Sequence, residues 1–179
     1  MILAIDQGTT GTTVIIVSPD GDIISRASSE VEQTYPHPGW VSQNAEKIWE
    51  STQNVIGTAL GNTAISPHEI SGIGITNQRE TTVIWDRKTG EPVYDAIVWQ
   101  CRRTMNLCLE FQKGGLTNMV AEKTGLVIDP YFSATKIVWL LQNVPALRDR
   151  AKKGEVCFGT VDAFLLYKLT GGAHHATDY

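Results

Sequence analysis

The spacing of apolar positions changes period several times along the chain, and each change marks an element. Residues 2–6 are an apolar run closed by an acid, and residues 12–18 are rich in β-branched side chains. Residues 22–31 follow the turn chemistry of Ser18-Pro19-Asp20-Gly21. Together they predict three strands joined by short turns, an antiparallel meander. Two prolines and a glycine in Thr34-Tyr35-Pro36-His37-Pro38-Gly39-Trp40 then break regular structure. From Asn44 to Leu60 the period becomes helical: Ile48, Trp49, Val55, Ile56 and Leu60 share one side, with Asn44 as the cap.

A short strand from Ile70 to Ile75 follows, whose glycines leave room for a close neighbour or ligand, and a further strand runs from Thr81 to Trp85. Residues 100–112, 115–123, 133–143 and 146–152 predict helices, the third capped by Ser133. Val156-Cys157-Phe158 is the last predicted strand, and Asp162 to Leu169 the last helix, stopped by Gly171-Gly172. This order predicts an α/β layered domain around a mixed sheet.

Composition narrows the function classes. A chain of 179 residues fits one domain, and at this size about 70% of the unfolded surface can be buried. With 42% hydrophobic and 19% charged residues it is a globular mixture, not a disordered one. The net charge of −4, with only the short basic runs Arg102-Arg103 and Lys152-Lys153, disfavours nucleic acid as a partner. No apolar run approaches the ~20 residues that span a bilayer. The first residues lack the basic region of a signal peptide. Three cysteines, Cys101, Cys108 and Cys157, are too few for a disulfide framework, and they point to a reducing, cytoplasmic setting. Cys101 and Cys108, seven apart, would share one helix face as small core residues.

Three segments carry candidate chemistry. Asp6-Gln7-Gly8-Thr9-Thr10-Gly11 ends the first strand in an acid, two glycines and two hydroxyls. It matches neither the Walker pattern nor Gly-x-Gly-x-x-Gly. A hairpin turn of this kind can still cradle phosphate through backbone N–H groups and the hydroxyls of Thr9 and Thr10, with Asp6 holding Mg²⁺ through water. Taken alone, it reads first as a structural turn. Thr76-Asn77-Gln78-Arg79-Glu80 sets five polar residues after an apolar strand. Arg79 only donates and Glu80 only accepts, a pair suited to adjacent hydroxyls, although a solvated loop accounts for the same residues. Trp99 and Tyr131 could pack on and hydrogen-bond a small polyol, or be interior aromatics. His174 and His175, adjacent on an extended chain, point apart and read as a solvated tail.

The blocks Asp6-Gln7-Gly8-Thr9-Thr10, Tyr35-Pro36-His37-Pro38-Gly39-Trp40-Val41, Gly74 to Thr82, Ala96 to Thr104, Gly125 to Ser133 and Phe158-Gly159-Thr160-Val161-Asp162 resemble the FGGY carbohydrate kinases, and within them the branch that acts on glycerol. The resemblance runs from Ile2 to Thr177-Asp178-Tyr179. The opening turn is shared across the whole superfamily, whereas Asn77-Gln78-Arg79-Glu80 and Trp99-Gln100-Cys101-Arg102-Arg103 are more particular. What the resemblance implies is a ribonuclease-H-like domain of the actin-like ATPase fold: a five-stranded mixed sheet with helices and a largely helical insert at about 81–155. The three meander strands would pair with two parallel ones near 70–76 and 156–159.

The implied reaction is transfer of the γ-phosphoryl of Mg·ATP to glycerol. Thr9, Thr10 and Gly11 would contact nucleotide phosphates, and Asp6 would lie near Mg²⁺. Arg79, Glu80 and Tyr131 would hydrogen-bond glycerol while Trp99 packs on its carbons. At position 13 the family usually carries arginine, and this chain has Thr13, one cation fewer beside the phosphates. The family's chain is more than twice as long, a homo-oligomer, with a second domain that supplies the catalytic aspartate and the adenosine pocket. These 179 residues would therefore be an N-terminal part, inactive alone and without the catalytic base. A sister kinase for a larger polyol or ketose, and a non-catalytic polyol-binding module, are the competing expectations.

Overall fold

Every second residue of the opening strand is buried, and that alternation organises the domain. In this computed structural model, which describes residues 1–177, β1 (Ile2–Gln7) pairs antiparallel with β2 (Gly11–Val17), and β2 with β3 (Ile23–Glu30). The register sets Leu3 opposite Ile16, Ile5 opposite Val14 and Gln7 opposite Thr12, so these six side chains share the buried face. The short β4 (Ser42–Gln43) leads into α1 (Ala45–Gly61), whose N-cap Asn44 accepts from the Lys47 N–H at 3.0 Å. Val55 and Ala59 of α1 close over that face as one apolar cluster. A single 3₁₀ turn at Pro67–Glu69, held by a capping box from Ser66, delivers the chain to β5 (Gly72–Asn77). β5 runs parallel to β1, with Asp6 level with Thr76.

The rest of the chain builds a second layer. β6 (Val83–Asp86) is followed by β7 (Ala96–Ile97), which pairs with β4. Then come α2 (Met105–Lys113), α3 (Thr117–Thr124), α4 (Ser133–Asn143) and α5 (Leu147–Lys152), before β8 (Val156–Gly159) and α6 (Val161–Leu169). Val83, Ile84 and Trp85 are all buried because β6 is covered on both sides. Trp85 enters a cluster with Phe164 and Tyr167, while Ile84 enters another with Ile97, Leu140 and Leu147. Among the described residues no helix is long and apolar enough to cross a membrane.

Four expectations are corrected. The main sheet has four strands in the order β3-β2-β1-β5, and the strand at 156–159 is not its fifth. β8 instead pairs antiparallel with β6, Val83 opposite Gly159, because a strand buried on both faces needs its ladder satisfied inside the protein. Ser133 does not cap α4: Phe132 is the N-cap, and the Ser133 hydroxyl donates to the Glu80 carbonyl at 3.1 Å. Cys101 precedes α2, so it and Cys108 share no helix face, although both are buried and free. His175 is more than a solvated tail: its Nε2 donates to the Phe158 carbonyl at 2.8 Å and its ring stands edge-on to Trp85 at 5.2 Å. Asp178 and Tyr179, the end of the last matched block, lie outside the described residues.

The tightest approach between β8 and α6 is at Gly159, where a Cβ would lie 2.6 Å from that of Ala163 and 3.0 Å from the Trp85 ring. Gly159→Ala should lower the unfolding free energy by about 1–3 kcal/mol, the usual cost of overpacking, read from the urea midpoint at unchanged slope.

Candidate functional site

The turn between β1 and β2 is closed by the Gly8 N–H, which donates to the Gly11 carbonyl at 2.8 Å. Gly11 is required by its neighbour: a Cβ there would sit 2.8 Å from the Ser29 carbonyl oxygen of β3. On the face opposite the core, Asp6 is exposed, flanked by Thr13 across the antiparallel pair and by Thr76 across the parallel one. This row of one carboxylate between two hydroxyls lies where three strands end. Gly74 opens onto that same face, and a Cβ there would meet nothing within 4 Å. The Thr10 side chain is exposed, while its carbonyl accepts from Val31 N–H at 3.0 Å.

Beneath the turn lies a network built from amides. Gln7 and Gln43 are fully buried. The Gln78 amide donates to Gln7 Oε1 at 3.1 Å and to Gln43 Oε1 at 2.9 Å, and its own oxygen accepts from the Thr81 hydroxyl at 2.9 Å. Gln7 donates to the Gly8 carbonyl at 2.8 Å, and Gln43 to the Thr9 carbonyl at 2.8 Å. Each amide thus uses both its donor and its acceptor, the condition under which buried polar groups add rigidity. The backbone of the turn is thereby tied to β4 and to the polar corner after β5.

That corner is strained. Arg79 and Glu80 both adopt left-handed backbone, with φ of 45° and 54°, a conformation costing on the order of 1–3 kcal/mol at each non-glycine residue. Asn77 Oδ1 accepts from the Arg79 N–H at 2.6 Å, and the Glu80 carbonyl accepts from Ser133 at 3.1 Å and Thr82 at 3.3 Å. A fourth holder is Lys136 of α4, whose Nζ donates to the carbonyls of Glu80 and Phe132, each at 3.4 Å, and of Tyr131. Lys136 is wholly buried, and desolvation pulls its pKa down to about 8 against the opposing pull of Glu80 and Asp129.

The two aromatics complete the arrangement. Trp99 Nε1 donates to the Thr9 hydroxyl at 2.9 Å, and its ring meets Tyr131 edge-to-face at 5.7 Å. Asp129 sets Tyr131 by accepting its backbone N–H at 2.8 Å, while pairing with Arg102 at 3.1 Å. A cleft of about 640 Å³ opens beside Arg79 and Glu80, walled by Thr76, Asn77, Thr160 and Asp162.

The structure therefore joins Thr9, Trp99 and Tyr131 by direct contacts, and Lys136 links Tyr131 to Glu80 through their carbonyls, with Arg79 at the same corner. Asp6, Thr13 and Thr76 form a second group on the sheet face. Sequence reading missed Gln7, Gln43, Gln78 and Lys136 as a supporting set. Lys136 did carry a signal, since it stands four residues before Leu140 on the buried stripe of α4.

The sequence profile of the N-terminal domain of the FGGY family of carbohydrate kinases matches residues 1–179. The chain belongs to the FGGY family of carbohydrate kinases. It is 56% identical to the glycerol kinase of Halothermothrix orenii and 52% identical to glycerol kinase 2 of Thermotoga maritima, each over 99% of this chain. It spans 36% of the length of either relative. The crystal structure of Plasmodium falciparum glycerol kinase with ADP superposes at a TM-score of 0.90 and 36% identity, covering 96% of this chain and 34% of that one. Xylulose kinase from Rhodospirillum rubrum, at 22% identity and a TM-score of 0.83, covers 98% of this chain and 35% of its own, and shares the fold. The α/β layering around a mixed sheet is thus that of the FGGY kinases, with their actin-like, ribonuclease-H-like fold.

Gln78→Leu would strand the Gln7 and Gln43 oxygens in the interior and should cost about 1–3 kcal/mol per stranded acceptor, checked by urea unfolding. Lys136 also sets a pH response. The folded chain releases its proton near pH 8 and the unfolded chain near its ordinary value of 10.5. Between these the unfolded state binds more protons, so stability from this residue rises with pH. Measured by urea unfolding, wild type should gain on Lys136→Met as pH is raised from about 8 to 10.5.

Proposed function

We propose that the chain is the N-terminal part of a kinase that transfers the γ-phosphoryl of ATP to glycerol, yielding glycerol 3-phosphate. The observation that carries this reading is the direct hydrogen bond from Trp99 to Thr9, which joins the phosphate-type turn to an aromatic, donor-and-acceptor pocket suited to a small polyol. The 56% identity to the Halothermothrix orenii glycerol kinase supports the choice of acceptor.

In this reading Arg79 donates to, and Glu80 accepts from, adjacent hydroxyls, so a vicinal diol satisfies both side chains together. Trp99 packs on the carbon backbone while Tyr131 bonds one end. Thr9, Thr10 and Gly11 face the phosphates, using hydroxyls and turn N–H groups that are already oriented. Asp6 suits Mg²⁺ held largely through water and phosphate oxygens, because it is exposed between two hydroxyl-bearing neighbours on the face away from the core. When bound, the metal neutralises charge on the transferring group. Thr13 stands directly opposite Asp6, so the position where the family usually carries arginine is neutral in this chain. The base, the adenosine pocket and any oligomer contacts belong, in this reading, to the part of the relatives beyond these residues, and the 179-residue chain is inactive alone.

Glycerol-dependent ADP release tests the reading in a chain completed to the relatives' length. Arg79→Ala should raise the glycerol KM about tenfold to a hundredfold, the loss of charge-assisted hydrogen bonding, with the ATP KM unchanged. An unchanged glycerol KM removes Arg79 from the site. A preference for a pentulose over glycerol overturns the acceptor assignment in favour of a sister sugar kinase.

A further inference from the structure

Lys136 is a fully buried cation of the second layer with no carboxylate bonded to it among the described residues. It stands at the start of α4, and its Nζ is bonded to main-chain oxygens of two separate loops: Glu80 on one, Tyr131 and Phe132 on the other. These loops carry the two sides of the pocket, Arg79-Glu80 and Tyr131. The first is in left-handed backbone that its own residue types disfavour. A cation is well matched to this task, since the ammonium presents three donors and no acceptor and can bridge carbonyls that would otherwise oppose one another. A structural lysine would serve packing as well as methionine does, and burying the charge would be a cost without return.

We propose that Lys136 is a positioning residue for the polyol pocket, fixing the Arg79-Glu80 corner relative to Tyr131 through their carbonyl oxygens. The inference rests on the reading of this pocket as the glycerol site. Glycerol affinity should therefore follow the state of the ammonium. The groups acting on it are Glu80 from the corner after β5, Asp129 from the loop before α4, Cys101 from the turn before α2 and Cys108 from α2 itself. Protonated, Lys136 holds all three carbonyls. As pH rises through about 8 it loses its charge, and the corner and Tyr131 loosen together.

Glycerol binding to the chain completed to the relatives' length, followed by the part of the tryptophan fluorescence that Trp99→Phe removes, tests this at pH 7 to 9.5. Wild-type affinity is expected to fall about tenfold across the range, the scale of one charge-assisted hydrogen bond. Lys136→Met should be weaker by a similar factor at pH 7 and flat with pH, while Lys136→Gln, which keeps a donor, should recover part of the loss. A Lys136→Met chain that binds glycerol within twofold of wild type, or keeps the pH dependence, overturns the positioning role and leaves the glycerol reading standing. A wild-type affinity that is flat from pH 7 to 9.5 does the same without any variant, should Lys136→Met not fold. A wild-type chain with no response to glycerol overturns the glycerol reading itself, and the inference with it.

Discussion

Gln7 and Gln43 have no route to water, and Gln78 spends its donors on both of them. That closed set of hydrogen bonds is the constraint on which the site depends. Three separate stretches of chain must meet for it to form: the end of β1, the two-residue β4, and the corner after β5. A buried amide left unpaired costs about 1–3 kcal/mol, so none of the three can drift without a penalty comparable to a large share of the domain's stability. The Thr9 carbonyl, held by Gln43, is the point where this support reaches the phosphate-type turn. The turn is thus anchored from below while the Thr10 side chain stays exposed.

The same logic extends outward from the amides. The corner at Arg79 and Glu80 occupies backbone space that non-glycine residues avoid, and such strain persists only where surrounding contacts over-determine it. Here the Glu80 carbonyl receives Ser133, Thr82 and Lys136 together. Two of those donors come from the first turn of α4, so that helix is less a packing element than a clamp. Its apolar stripe, ending at Leu140, binds it to the second core. The clamp therefore inherits its rigidity from ordinary hydrophobic burial.

How much of this was legible in the residues depends on the range of the forces involved. The hairpin of β1 and β2, the Asn44 cap and the Gly171-Gly172 stop each depend on neighbours a few positions away, and all appear where local chemistry puts them. The partner of β8 was not legible. Val156 to Gly159 is compatible with either sheet edge, and only the double-sided burial of Val83, Ile84 and Trp85 decides that its ladder goes to β6. Ser133 shows the same limit in one side chain. Its type and place suggest a cap, but the strained Glu80 carbonyl, 53 positions earlier in the chain, takes its hydroxyl.

By itself, the sequence determined the membership of the FGGY kinases, the strand and helix order, and the residue types at the turn and the polar corner after β5, because motif identity and periodicity are local properties. The tertiary structure alone decided that the Trp99 indole reaches Thr9, that three glutamines satisfy one another, and that a lysine on an apolar helix stripe holds both sides of one pocket. Those contacts join residues 5 to 90 positions apart. Their existence follows from how the two layers close on each other, which no window along the chain contains.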